Sequence, residues 1–263
     1  MFHPGWQSIT IAIALLASSA ICSARVLPQD YRAADATPPL GAAVPNSATL
    51  TNENGKQRPL GTFITAPTVL VFADFTCRTL CGPTLAFVAS ALEQSGLHSN
   101  EQFRMLVVGI DPNDRPEDAA RMRRDYIGDS TVGDATTFLF ANASTIEALT
   151  SALGYHFQYD AEAGQYVHPA AAFVLSADGR VSRVLTGFGL SGPDMRLALI
   201  EASQGRVGTL GDQVRLLCSA FDPAHGTYNL LISRVLAGAA MITIVLLAGG
   251  IGSLVLIGRR RPA

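Results

Sequence analysis

The sequence has little charge and few cysteines for its length. Only 15% of the 263 residues are charged, and the formal net charge is −2. Proteins that bind nucleic acid through its phosphates carry an excess of Lys and Arg, so we expect no nucleic-acid partner. The sequence has 4 cysteines. They are too few to dominate the fold, and their positions therefore matter.

Charge is absent altogether from a long apolar run near the C-terminus. Residues 235–258 contain no charged side chain, and three arginines follow at 259–261. A helix of that length measures about 36 Å and can cross a bilayer, while the arginines indicate a cytoplasmic C-terminus. We therefore predict a transmembrane helix at 233–258, a cytoplasmic tail at 259–263 and a functional domain on the extracytoplasmic side of the cell membrane. The alternative is a buried core helix.

A shorter apolar run, SITIAIALLASSAICSA, lies near the N-terminus and ends in small residues. It is typical of a secretory signal, although no Lys or Arg precedes it. We predict that residues 1–24 are a signal peptide or an uncleaved anchor. A lipoprotein site at Cys22 is a third reading, which Ile21 disfavours. After signal removal three cysteines remain, and an odd number in an oxidising compartment argues against a purely structural disulfide set.

Between the two ends, the sequence predicts alternating strands and helices. Residues 25–45 are rich in Ala and Pro and are interpreted as a linker. After a hairpin at Asn54-Gly55 come buried strands and amphipathic helices, one of them opened by a predicted capping box at 144–147. Two strands joined at Asp178-Gly179 and a last helix complete the pattern. This order predicts a thioredoxin-type α/β sandwich with a central mixed sheet over residues 46–205.

Two cysteines stand in FTCRTLCGPT, between a buried strand and the helix that follows it. A thiol at a helix N-terminus has a lowered pKa because of the positive end of the helix dipole, and the thiolate serves as nucleophile or metal ligand. With three residues between them, Cys77 and Cys81 can face the same way in a helical turn. The pair can converge on one ion or form a disulfide, so a metal site and a redox pair both remain open.

Histidine supplies a third candidate ligand. His168 lies immediately before the strand AAAFVLSADG, at the sheet edge where the cysteines are also expected. By itself a histidine in this position is more often structural. His98, His156 and His225 are interpreted as surface or packing residues.

Together, Cys77-x3-Cys81, the Asp111-Pro112 step and His168 before AFVLSADG resemble the Sco/SenC family over residues 46–205. The resemblance implies a membrane-tethered copper protein with a thioredoxin fold that assists cytochrome c oxidase assembly. It implies that Cys77, Cys81 and His168 are the copper ligands. The DPND segment is one residue shorter than the usual family form, and Gly82 stands where the family often has Pro. Residues 206–232 resemble the juxtamembrane segment of family members with a C-terminal anchor.

The chemistry of these side chains agrees with the resemblance. Two thiolates and one imidazole suit copper, whereas zinc usually takes a fourth ligand. Cys218 could be that ligand, a partner contact or an inert thiol. Asp74 and Asp111, at strand ends, could orient a ligand or be plain surface acids.

Three functions follow from this reading. The favoured one is a copper metallochaperone, supplied by an upstream donor, that passes copper to the Cu(A) site of the oxidase subunit and needs no catalysis. The alternative is a thiol–disulfide oxidoreductase that reduces the cysteines of that acceptor, with Cys77 attacking, Cys81 resolving the mixed disulfide and an upstream thiol reductant restoring the pair. The third is a peroxidase-like or signalling descendant of the fold.

Overall fold

The computed structural model describes most of the chain after the first 33 residues. The described ranges are 34–77, 81–161, 164–187, 190–204, 208–217, 219–223, 225–230 and 232–259, without the side chains of 229–230, 232–235 and 252–259. The predicted signal segment 1–24, Cys218 and the tail beyond Arg259 lie outside these ranges.

A seven-stranded mixed sheet forms the centre, and two separate two-stranded hairpins flank it. The strands are β1 (Thr49–Asn52), β2 (Gln57–Pro59), β3 (Thr68–Ala73), β4 (Arg104–Gly109), β5 (Thr136–Phe140), β6 (Gln158–Asp160), β7 (Gln165–Val167), β8 (Ala171–Leu175), β9 (Val181–Thr186), β10 (Ser219–Asp222) and β11 (Thr227–Leu230). The sheet order is β2-β1-β5-β4-β3-β8-β9. Strands β3, β4 and β5 run parallel, and all other neighbours are antiparallel.

The helices are α1 (Cys81–Gln94), α2 (Pro116–Tyr126), α3 (Thr131–Asp134), α4 (Ala143–Ala152), α5 (Gly192–Ala202), α6 (Leu210–Leu217) and α7 (Ile232–Arg259). Helices α1 and α5 pack on one face of the sheet and α4 on the other. Alternate residues of β3 point into two separate cores, since side chains of a strand alternate between its faces. Val69 and Val71 pack beneath α1, whereas Leu70 and Phe72 pack on the opposite side. The mixed α/β architecture predicted from the sequence is confirmed.

The turn residues Asn54-Gly55 and Asp178-Gly179 predicted both hairpins of the sheet correctly. The start of α4 was predicted wrongly. Gly55 and Gly179 adopt φ of +73° and +84°, which glycine permits at little cost. The N-cap of α4 is Asn142, whose side chain accepts a 2.9 Å hydrogen bond from the backbone N–H of Thr145. Ser144 lies inside the helix and donates to Asn142, so residues 144–147 form no capping box.

The described part of the segment interpreted as a linker is instead built into the domain. The N–H of Val44 donates to Gly179 at 2.9 Å, and Val181 donates to Ala42 at 2.8 Å. Thr37 also donates to the carbonyl of Gly154 at 2.9 Å. Residues 37–44 therefore run along the domain surface as a strap. Proline and alanine gave no strand signal here because the contacts are made with distant parts of the chain.

The segment after residue 206 also packs onto the domain through α6 and the β10–β11 hairpin. Tyr228 donates its hydroxyl to Glu201 at 2.5 Å, and its N–H donates to Asp194 at 2.9 Å. Helix α7 follows β11. Within the stretches that the structure describes, no helix combines the length and apolarity needed to cross a membrane. The predicted span 233–258 includes residues whose side chains lie outside those stretches.

Candidate metal centre

The predicted ligands meet at one edge of the sheet because two strands deliver them there. β3 ends at Ala73, and the chain turns through Cys77 before α1 begins at Cys81. β8 runs antiparallel to β3, with Ala172 opposite Val71. His168, just before β8, therefore lies at the carboxyl end of β3. The expectation that it shares an edge with the cysteines is confirmed.

A direct contact joins the second cysteine to the histidine. Sγ of Cys81 lies 2.7 Å from Nε2 of His168. Cys81 is 1% exposed and Cys77 is 9% exposed. No disulfide joins the two cysteines, and their side chains are hydrogen-bonded to each other. The three predicted ligands thus form one contiguous group of sulfur and nitrogen donors.

The pKa of Cys81 is raised, whereas the sequence predicted a lowered pKa. Its hydrogen bond with Cys77 raises the pKa most, followed by burial and by the charge of Cys77. These effects outweigh the helix N-terminus on which the prediction rested, since burial in a low dielectric disfavours a thiolate. Cys81 therefore remains a protonated thiol until a cation or a reaction removes its proton.

Tyr155 fixes the orientation of His168. Its hydroxyl lies 2.9 Å from Nδ1 of His168 and donates to the Pro169 carbonyl at 3.2 Å. A hydroxyl has one proton to donate, so it accepts from Nδ1–H, and the hydrogen-bond network assigns the neutral tautomer with a bare Nε2. Burial lowers the pKa of His168, which favours the same neutral form. The lone pair that could bind a metal thus faces the sulfur of Cys81.

Aromatic packing holds this tyrosine. The ring of Tyr155 lies 4.5 Å from Phe72 and 5.9 Å from Phe173, centroid to centroid. Burial raises its pKa well above the ordinary value, so the hydroxyl keeps its proton. The sequence gave no sign of this role because Tyr155 precedes His168 by 13 residues and meets it only in the folded chain.

Asp74 acts on the site through the backbone. Its carboxylate accepts from the N–H and hydroxyl of Thr76 at 2.9 and 2.8 Å, and from the N–H of Tyr166 at 3.3 Å. Its carbonyl accepts from the N–H of Cys77 at 3.1 Å. Asp74 therefore ties the cysteine loop to β7. Because Asp74 is buried, the reading as a plain surface acid is wrong.

Asp111 shapes its own loop instead. Its carboxylate accepts from the backbone N–H and side-chain amide of Asn113, at 2.8 and 2.9 Å. Its backbone carbonyl accepts from the N–H of Asp114 at 3.1 Å, within the same loop. The sequence suggested that it could orient a ligand, and these contacts give it a local role.

A second carboxyl group that reaches the cysteine loop belongs to Asp114, which the sequence indicated only as the end of the DPND segment. Its Oδ2 accepts from the N–H of Phe75 at 3.3 Å. Its Oδ1 is buried and has no hydrogen-bond partner among the described residues. Burial, followed by the charges of Asp74, Asp111 and Asp118, raises the pKa of Asp114 to about 8. Asp114 is thus mostly protonated at neutral pH.

This raised pKa predicts a pH-dependent stability. Between the ordinary carboxyl pKa of 3.8 and the folded value of about 8, the folded protein holds a proton that the unfolded chain has lost. Stability should therefore fall as the pH rises through this window. We expect the free energy of unfolding to fall by roughly 2 kcal/mol between pH 5 and pH 8, allowing for the partial exposure of the group.

Urea unfolding of wild type and Asp114→Asn at both pH values checks this. The amide is neutral throughout, so Asp114→Asn should show a smaller loss. The exposed Asp129 offers a matched control, and Asp129→Asn should keep the wild-type dependence. Equal pH profiles for wild type and Asp114→Asn would contradict the assignment.

An open cavity gives access to one cysteine. It has a volume of about 470 Å³ and lies beside α2, where Cys77, Phe75 and Thr76 form one wall. The remaining wall consists of Arg121, Met122, Asp125 and Tyr126. Cys81 does not line this cavity. A partner entering it would therefore meet Cys77 rather than Cys81.

The donor set suits a soft metal ion, although its present spacing is that of hydrogen bonds. In the described part of the chain, no three His, Cys, Asp or Glu side chains are arranged to hold an ion. Sγ of Cys81 and Nε2 of His168 lie 2.7 Å apart, so these two donor atoms would have to move apart to bind one ion between them.

Two other histidines contact aspartates of their own. His225 lies 2.7 Å from Asp222, and His156 pairs with Asp35. Both side chains are largely exposed. These contacts agree with the interpretation of both as surface residues. Cys218 lies outside the described residues.

Comparison with known families decides the relationship. Residues 38–202 match the family model for SCO1/SenC, which is more than half of the chain. The chain belongs to the SCO1/SenC family. The resemblance seen in the cysteine pair and His168 is confirmed at the level of the family. A comparison with functionally curated sequences gives no significant match.

Solved structures agree on the fold of this SCO1/SenC chain. BsSco, described as a member of the Sco family of cytochrome c oxidase assembly proteins, is 22% identical with a TM-score of 0.53, covering 66% of this chain and 98% of that one. Arabidopsis thaliana ScoI, solved with copper bound, is 12% identical with a TM-score of 0.52, covering 63% and 99%. A SCO1/SenC family lipoprotein from Bacillus anthracis is 18% identical with a TM-score of 0.50, covering 60% and 92%.

Proposed function

We propose that this chain is a copper metallochaperone that binds copper through Cys77, Cys81 and His168 and delivers it to the copper-site subunit of cytochrome c oxidase. The observation that carries the proposal is the contact of the Cys81 thiol with the bare Nε2 of a neutral His168, with Cys77 hydrogen-bonded alongside. Membership of the SCO1/SenC family supports it. So does the copper bound to ScoI of Arabidopsis thaliana, as a property of that protein.

The arrangement suits cargo that must be released again. Two thiolates and an imidazole favour copper, and three ligands leave one side of the ion open to a ligand of the acceptor. Copper binding would displace the proton of Cys81, and the free energy of the metal bond offsets the raised pKa of that thiol. Because Cys77 alone of the three lines the open cavity, acceptor ligands would exchange first with Cys77.

Copper transfer tests the proposal directly. The reduced protein is loaded with Cu(I), freed of loosely held metal with a competing chelator, and mixed with the apo form of an oxidase copper-site domain. We expect about one copper per chain before transfer and its recovery on the acceptor afterwards. Copper that stays with the donor, or is never retained, would overturn the proposal.

Loss of the Tyr155 hydroxyl should weaken copper binding without unfolding the protein. Tyr155→Phe keeps the ring contacts with Phe72 and Phe173 but removes the group that orients His168. Changes to residues that orient metal ligands cost about 10- to 100-fold in affinity, and we expect a loss of about tenfold. Competition titration with a chelator measures it. Tyr159→Phe alters an exposed tyrosine and is the matched control. Equal affinities for both variants would contradict the orienting role.

A second candidate function is thiol–disulfide exchange. It is favoured by the different access to the two cysteines, because Cys77 lines the open cavity and Cys81 is buried. The thiolate of Cys77 would attack one sulfur of an acceptor disulfide and release the other, which takes up a proton. Cys81, buried beside it, would then attack the mixed disulfide. The acceptor gains two thiols, and the Cys77–Cys81 disulfide is returned to the dithiol by an external thiol reductant. The two functions are compatible in one chain.

We also propose an extracytoplasmic domain tethered to the cell membrane by its C-terminal helix. The uncharged run 235–258 and the arginines after it support this arrangement. A tether would raise the effective concentration near a membrane-bound oxidase. Cell fractionation tests it. The full chain should stay with membranes at alkaline pH, and a chain ending at residue 231 should not. Release of both chains from the membranes would contradict the proposed tether.

A further inference from the structure

Helix α6 presents an apolar stripe on the domain surface. Leu210, Val214 and Leu217 recur at helical spacing and are 87%, 60% and 70% exposed. Residues three or four apart share one face of a helix, so the three side chains form a continuous ridge. Large exposed side chains grouped in this way mark a surface that meets an apolar partner.

The other side of α6 is fixed to the domain. Arg196 of α5 donates to both carboxylate oxygens of Asp212, at 2.8 and 2.7 Å. Asp212 also accepts from the N–H and hydroxyl of Thr209, at 2.7 and 2.8 Å. This paired, partly buried arginine holds the helix in one orientation. The apolar ridge therefore faces away from the domain as a fixed surface.

The β10–β11 hairpin places this ridge beside the start of α7. The antiparallel register pairs Ser219, the first residue of β10, with Leu230, the last residue of β11. α6 ends at Leu217, two residues before Ser219, and α7 begins at Ile232, two residues after Leu230. Antiparallel partners face each other directly. The end of α6 and the base of the apolar C-terminal helix therefore lie at the same end of the hairpin.

From this juxtaposition we propose that the Leu210–Val214–Leu217 ridge lies in the interfacial layer of the membrane and sets the tilt of the domain on its anchor. The proposal rests on the membrane tether of the proposed function. A helix with an apolar face and a cationic residue suits the boundary between headgroups and acyl chains. Arg215, exposed in the last turn of α6, can reach anionic headgroups from the edge of the ridge.

Tryptophan depth measurements on the full chain test the proposal. Leu210→Trp and Val214→Trp are made separately in a Trp6→Phe background, which removes the one native tryptophan. Each variant is reconstituted into phosphatidylcholine vesicles with or without brominated acyl chains. Leu246→Trp in α7 reports on the anchor. Lys56→Trp, in the β1–β2 turn at the opposite edge of the sheet, is the water-exposed control.

The ridge variants should show blue-shifted emission and quenching by brominated lipid, whereas Lys56→Trp shows neither. Quenching of Leu246→Trp without quenching of either ridge variant would overturn the surface proposal and leave the anchor standing. The absence of quenching in all variants would refute the anchor and the ridge together. A blue shift at the ridge that brominated lipid does not quench would show that protein covers it, and would also overturn the proposal.

Discussion

Replacing His168 by alanine should abolish tight copper binding while leaving thiol–disulfide exchange intact. The imidazole supplies one of only three predicted ligands, and its Nε2 already lies against the sulfur of Cys81. Altering a residue that only orients a ligand costs 10- to 100-fold in affinity, so loss of the ligand itself should exceed about 100-fold. Copper per chain, measured after challenge with a competing chelator, should fall from about one to near zero.

The exchange reaction separates the two proposed functions. Attack by Cys77 and resolution by Cys81 require two sulfurs and no imidazole, so His168→Ala should still reduce a model disulfide. His156→Ala removes a largely exposed histidine and should match wild type in both assays. Retention of copper by His168→Ala would refute the predicted ligand set. Loss of exchange together with copper would indicate that His168 also serves the thiol chemistry.

A methyl group at Gly82 should destabilise the whole cysteine-bearing end of α1. A Cβ there would lie 2.1 Å from the ring of Tyr126, and two further ring carbons would be closer than 2.5 Å. Overpacking of this kind typically costs 1–3 kcal/mol. The methyl must displace the ring of Tyr126, which is partly buried and lines the cavity, so we expect Gly82→Ala to lose about 1–3 kcal/mol in urea unfolding. Copper affinity should fall with it, because Cys81 is the adjacent residue.

Two further variants make the result specific. Gly211→Ala places a methyl at a helical glycine with only one ordinary contact, at 3.6 Å. It should be neutral or stabilising by up to about 1 kcal/mol. Combining Gly82→Ala with Tyr126→Ala removes the ring and should recover much of the loss. If the stability loss of the double variant equals or exceeds the summed losses of the two single variants, the clash with the ring is not the cause.

The contact with Tyr126 gives a structural reason for one departure from the usual family pattern. Gly82 stands after Cys81, where the family often has proline, and the sequence left the local conformation undetermined. In the folded chain the missing side chain makes room for Tyr126, which also lines the cavity beside Cys77. A small residue at position 82 thus accommodates Tyr126 of the next helix, which lies more than 40 positions further along the chain.

The sequence by itself determined the parts of this protein whose signals are local. β3 and β4 are short apolar runs, and the hairpins at Asn54-Gly55 and Asp178-Gly179 follow from glycines that adopt positive φ. The alternation of strands and helices placed the cysteines at the carboxyl end of β3, and His168 was expected at the same edge. Even here a local signal failed at α4, where Asn142 caps the helix two residues before the predicted start.

Only the tertiary structure decided how the site is held and charged. Tyr155 orients His168, Asp114 reaches the N–H of Phe75, and burial with the Cys77 contact reverses the expected pKa of Cys81. Each effect depends on desolvation or on a hydrogen bond between elements brought together by the sheet. Periodicity and spacing carry no information about such distances. The sequence therefore named the donor atoms, and the fold determined their protonation, orientation and access.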